Sequence, residues 1–184
     1  MRRTVLFTLL VALALGTVPA AASTFLAMSR DELVAGADAV VQGRVIDQQS
    51  FWSEGGRVVV TEATVKVRQV IAGQAPDVVR VRTVGGTIGD YRVEAHGFPQ
   101  FDRGQKVILF LTFEQAGEAR VLGYQLGHYE VVRRLDGVRL AVPQVEDGAA
   151  FFTASGQLAP EPRSVPLSQF KRSIRDIARE TFSK

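Results

Sequence analysis

The sequence predicts a mainly β domain, a small antiparallel barrel, with a short helix before it and an amphipathic helix packed on it at the C-terminal end. Three observations carry that expectation. From Asp38 to Val142 the chain alternates apolar and polar residues with a period of two, or runs apolar over strand-length stretches. Glycines and turn residues punctuate those stretches at short intervals, as in all-β folds. A helical period is present only at the two ends of that region.

The elements follow in order. Met1-Arg2-Arg3 is a short basic start, and Val5 to Gly16 is apolar apart from Thr8. The small residues Val18-Pro19-Ala20-Ala21-Ala22 come next, so residues 1–22 read as a secretory signal peptide cut before Ser23. That run is too short for a spanning helix, which needs roughly 20 apolar residues. The expected location is the periplasm or the medium, with no membrane span after signal removal. Ser29 and Glu32 form a capping box for a short helix, with Met28 and Leu33 at the staple positions. Ala39, Val41 and Val45 then share one strand face, and Gly43 between them marks a bulge or bend.

The second strand runs from Arg57 to Ile71, with Val59, Thr61, Ala63, Val65 and Val67 on one face. Clean alternation of this kind means one buried and one wet face. Val78 to Val84 is the third strand. Gly85 to Gly104 is irregular and glycine-rich, and Lys106 to Phe113 is apolar enough to be covered on both sides. Arg120 to Leu126 and His128 to Leu135 are two further strands, and Asp136-Gly137 is a two-residue hairpin signal before Val138 to Val142. Residues 23–142 are thus the barrel domain and 143–165 a connector anchored by Phe151-Phe152. Residues 166–184 are a closing helix whose stripe is Leu167, Phe170, Ile174, Ile177 and Ala178.

Bulk composition narrows function. Of 22 Lys plus Arg, the signal removes Arg2 and Arg3, leaving 20 against 19 Asp plus Glu. A near-neutral mature chain does not by itself argue for nucleic acid. The chain has no cysteine, so disulfides, thiolate metal sites and a cysteine nucleophile are excluded. The two histidines, His96 and His128, are far apart and in no metal-binding pattern, so neither a metal nor a cofactor is expected. There is no G-x-S-x-G, and Gly85-Gly86-Thr87-Ile88-Gly89 lacks the lysine of a phosphate loop. Glu94 and Asp102 leave a carboxylate-based hydrolase open as an alternative.

Two surface features are candidate binding sites. Lys66, Arg68, Arg80 and Arg82 would form a cationic strip if the second and third strands pair antiparallel, suited to a polyanion or oligonucleotide. Aromatics do not interleave with it, which disfavours nucleic acid. Trp52, Tyr91, Phe98 and Phe101 are loop aromatics available for contact or for plugging a barrel end.

Ala37-Asp38-Ala39-Val40-Val41-Gln42-Gly43-Arg44-Val45 resembles the first barrel strand of netrin-like domains, the group that includes tissue inhibitors of metalloproteinases. The resemblance continues through Thr61–Gly73, Val78–Thr83 and Phe101–Leu111, roughly residues 37–130. Gly85-Gly86, Gly97-Phe98-Pro99-Gln100-Phe101 and Gly104 to Leu111 also resemble a pattern in uncharacterised exported bacterial proteins. The resemblance implies an OB-like five-stranded barrel with a C-terminal helix against it. It also implies a narrower activity, metalloprotease inhibition through the mature terminus Ser23-Thr24-Phe25, although the cysteine tether of that family is missing here. The leading expectation is an exported, non-enzymatic binding module for a protein or envelope component, an exported protease being one possible partner.

Overall fold

The computed structural model describes residues 23–114 and 118–182; the signal-peptide reading falls on residues outside them. The main sheet is built from β2 (Ala39–Trp52), β3 (Val59–Gly73), β4 (Val78–Val84), β7 (Lys106–Phe113), β8 (Glu118–Val121), β9 (His128–Arg133), β10 (Arg139–Pro143) and β12 (Val165–Pro166). Two short pairs complete the β structure. One is β1 (Thr24–Leu26) with β11 (Ala150–Phe152), and the other is β5 (Gly86–Ile88) with β6 (Tyr91–Val93). The helices are α1 (Arg30–Gly36) and α2 (Leu167–Phe182).

Five strands close into a barrel in the order β2-β3-β4-β8-β7-β2. All neighbours are antiparallel except β4 and β8. A closed five-strand ring is compatible with an OB-like barrel. One edge of β7 is shared: Val107–Leu109 pairs with β9, and Leu111–Phe113 pairs with β8. Beyond β9, β10 and β12 extend the sheet as a flange outside the ring.

β7 explains the two cores. It is apolar on both faces because each face meets a different core. Val107, Leu109 and Leu111 enter the barrel with Val41, Val45, Ala63, Val65, Val79 and Val81. Ile108 and Phe110 face the other way, against Leu33, Val34, Phe170 and Ile174 of the two helices. Tyr129 and Phe170 lie 4.5 Å apart, and Phe110 meets Phe170 edge-on at 6.4 Å. Each such ring contact is worth roughly 0.5–1.5 kcal/mol beyond its burial. Arg30 ties α1 to α2, with its guanidinium 4.8 Å over the Phe170 ring and Nη1 donating to Ser173 Oγ at 3.1 Å.

The capping box forms as expected. Glu32 N donates to Ser29 Oγ (3.2 Å), and Ser29 N donates to Glu32 Oε2 (2.7 Å). Gly43 sits at a register shift between β2 and β3, where a Cβ would lie 2.6 Å from Val65 Cγ1 and 2.8 Å from Lys66 O. The strand therefore bends there only because no side chain is present.

Several boundaries differ from the sequence reading. Trp52 ends β2 rather than lying in a connection, because the β2–β3 pairing continues to Trp52↔Val59. Glu118–Val121 is strand, but Tyr124–Gly127 is a 3-10 turn. The β9–β10 hairpin turns on Leu135-Asp136, with Gly137 N donating to Arg134 O (3.0 Å) and Gly137 taking the positive φ of 84°. That is a turn followed by a bulge, not the two-residue form. The 143–165 stretch is partly ordered by β11, whose Phe151 is buried beside Phe25. Among the described residues no helix is long and apolar enough to cross a membrane.

Candidate functional site

The feature that stands out is cationic and lies where the flange meets the barrel. The β2–β3 and β2–β7 registers place Lys66, Arg44 and Lys106 directly opposite one another across three strands. On the flange, Arg133 and Arg139 are direct cross-strand partners. Like charges facing each other on a sheet cost stability, roughly 0.2–1 kcal/mol for a pair. This sheet carries three such pairs.

Arg44, Lys106, Arg133 and Arg139 line two adjoining clefts of about 540 and 670 Å³ that share Arg139. The strand-side cleft is walled by Arg44, Arg68, Lys106, Arg133 and Arg139. The helix-side cleft adds Lys171, Arg172, Arg175 and Arg179 from the polar face of α2. Among the described residues on both walls nine are basic, and Asp176 is the one acid. Asp176 Oδ1 lies 3.6 Å from Arg179 Nη1. Lys171 Nζ donates to Gln42 Oε1 at 2.8 Å, which fixes the helix against β2. Burial, then the positive charges of Arg175 and Arg139, push the Lys171 ammonium below the usual lysine range. Crowded cations of this kind attract anionic groups.

The predicted strip is therefore only partly this site. Arg68 lines the strand-side cleft, and Lys66 stands beside Arg44. Arg82 is neutralised by Glu62 (3.3 Å) and Glu118 (2.6 Å) and lies 5.6 Å over the Phe51 ring. Arg80 is exposed opposite Thr64, outside both clefts. Sequence reasoning missed Arg44, Lys106, Arg133 and Arg139 as a group, because their proximity comes from strand register. The run Lys171, Arg172, Arg175, Arg179 was a visible signal, but it also matches an ordinary solvated helix face.

The other predicted residues are scattered. Ser23 to Phe25 is held along β11: Ala150 N donates to Ser23 O (2.9 Å), and Phe25 packs 5.9 Å from Phe151. Trp52 and Tyr91 stack at 5.3 Å, both exposed. Phe98 meets Tyr124 edge-on at 4.9 Å. Phe101 is buried, 4.9 Å from His128, and fills the barrel side rather than the surface. Glu94 pairs with Arg92 (2.8 Å) beside His96, whereas Asp102 lies in the turn before β7. His128 is fully buried, and desolvation holds its imidazole at about 4, so it is neutral. Among the described residues no three His, Asp or Glu side chains converge to hold a metal ion.

Fold and site together define a closed five-strand barrel with a cationic double cleft beside its C-terminal helix. No family model matches the chain, and no curated protein matches it.

Proposed function

We propose that this chain is an exported, non-enzymatic binding module that holds an anionic polymer of the cell envelope. The polymer lies in the clefts between β2, β7, β9, β10 and α2. One observation carries the reading: nine basic side chains against one acid on joined walls, in a chain of net charge only +3. The repulsion built into the sheet supports it, because an anionic ligand would relieve that repulsion. Arginine dominates the walls, and its planar fork suits phosphate or sulfate groups while staying protonated. Among the described residues no aromatic side chain lines either cleft, so charge rather than base stacking would do the binding, which favours a charged envelope polymer over nucleic acid. Export rests on the N-terminal apolar run. The closed ring and the helix beside it are compatible with the OB-like barrel of netrin-like domains. The inhibitor alternative has less support, since the segment from Ser23 is paired to β11.

The test uses fluorescent linear polyphosphate and a triple variant, Arg133→Gln, Arg139→Gln and Lys171→Gln. Anisotropy should show at least tenfold weaker binding. Arg92→Gln, which removes a cation outside the clefts, should leave affinity unchanged. Equal losses in both variants would refute the assignment of the site.

A further inference from the structure

A third cleft, of about 550 Å³, lies between the segment Arg92–Gln100, the 3-10 turn at Gln125 and the end of β10 with the residues after it. It shares no lining residue with the cationic clefts. Its wall includes Gln125, which is only 2% exposed. The Gln125 side-chain oxygen accepts from Glu146 N at 3.0 Å, and that contact sets the orientation of the amide. Its nitrogen, Nε2, is buried and has no hydrogen-bond partner. A buried donor left unmade is costly and calls for an acceptor.

The surroundings specify what kind. Glu146 is held in place, with Oε1 accepting from Gly97 N (2.6 Å) and Oε2 3.4 Å from His96 Nδ1. Asp147 and Glu94 add two further carboxylates to the wall, and Arg92 pairs with Glu94 at 2.8 Å. Phe98 supplies a ring face, propped edge-on by Tyr124 at 4.9 Å and 76°. Tyr124 is the one non-glycine residue with positive φ among the described residues, at 54°. Backbone strain of that kind gathers at ligand sites.

We propose that this cleft binds a neutral saccharide. A ligand here must accept from Gln125 and donate to Glu146 or Asp147 from neighbouring atoms, while laying an apolar face on Phe98. Sugar hydroxyls donate and accept at once, and the sugar C–H face is apolar. An anion would meet three carboxylates against an Arg92 already engaged by Glu94, and a simple cation would leave the Gln125 donor unpaired. The envelope polymer is held by charge at one site and a neutral glycan by hydrogen bonds at the other.

The test is an amide NMR titration of the full chain with chitotriose and with maltotriose. Each runs to about 20 mM, above the millimolar constants expected for small contacts. One sugar should give saturable shifts around Gln125, Glu146 and Phe98. Gln125→Met, which removes the donor and also the acceptor of Glu146 N, should weaken that binding at least tenfold and melt somewhat lower than the wild type while staying folded. If Gln125→Met does not fold, Phe98→Ala and Glu146→Gln are read instead, with the same tenfold loss expected. No saturable shift with either sugar overturns the proposal. So does wild-type affinity in the folded variants, or shifts at these residues with polyphosphate in place of sugar. None of these outcomes touches polyphosphate binding at the cationic clefts, which is read separately.

Discussion

Replacing Arg44 by glutamine should stabilise the fold at low salt and weaken polyanion binding at the same time. Arg44 stands directly opposite both Lys66 and Lys106. Relief of two like-charge pairs at about 0.5 kcal/mol each is worth about 1 kcal/mol. Arg44 Nε also donates to Gly104 O at 3.0 Å on the surface. Losing that exposed bond takes back about 0.5 kcal/mol. The net gain is about 0.5 kcal/mol, a rise of about 1–2 °C in Tm for a domain of this size. In 1 M salt the Debye length falls to about 3 Å, so the repulsion disappears and only the lost bond remains. The sign of the difference should then reverse. Calorimetric melts of both proteins at low and high salt measure it. A variant that is less stable at both salts by the same amount would refute the claim that the sheet carries unrelieved repulsion.

His128 has a folded value of about 4 against an ordinary 6.5, so on acidification the unfolded chain takes up the proton first. Stability is full above about pH 6.5 and falls by about 3 kcal/mol as the pH drops to about 4; urea unfolding of His128→Leu should show that slope removed. Gly43→Ala should cost about 1–3 kcal/mol through the clash with Val65 and the Lys66 carbonyl, read from the urea midpoint. Phe170→Ala should cost about 3–5 kcal/mol and speed amide exchange in α2, because Phe170 is the centre of the helix-side core. It should also weaken polyphosphate binding, since α2 forms one wall of the clefts.

The barrel was legible where local pattern and tertiary environment agree. β7 reads as a doubly covered strand because both faces are apolar, and each face meets a core. Ser29 and Glu32 announce α1 through side-chain chemistry alone. The parallel pair β1–β11 was not legible, since three-residue strands carry no period and their contact joins opposite ends of the chain. The short strand Glu118–Val121 and the 3-10 turn after it look alike in sequence, and Gly123 with a left-handed φ of 67° decides between them. The site was half legible. Lys66 and Arg68 were visible on an alternating face, but Arg44 meets Lys66 through bulges that shift the β2–β3 register, and Lys106 reaches Arg44 from a strand distant in sequence. Arg82 was visible as a cation, yet Glu62 and Glu118 neutralise it, and Glu118 belongs to a strand not adjacent in sequence. Gln125 carries no sequence signal at all, because an unpaired buried donor is a property of the packed state.

The most direct test of the central claim is the salt dependence of polyphosphate affinity for the chain from Ser23 onward. If about five cleft cations contact the polymer, log K should fall linearly with log salt at a slope of about −3.5, at roughly −0.7 per contact. The triple variant Arg133→Gln, Arg139→Gln and Lys171→Gln should flatten that slope by about 2. A slope near zero for the wild type, or an unchanged slope in the variant, would contradict the assignment of the cationic clefts as the binding site.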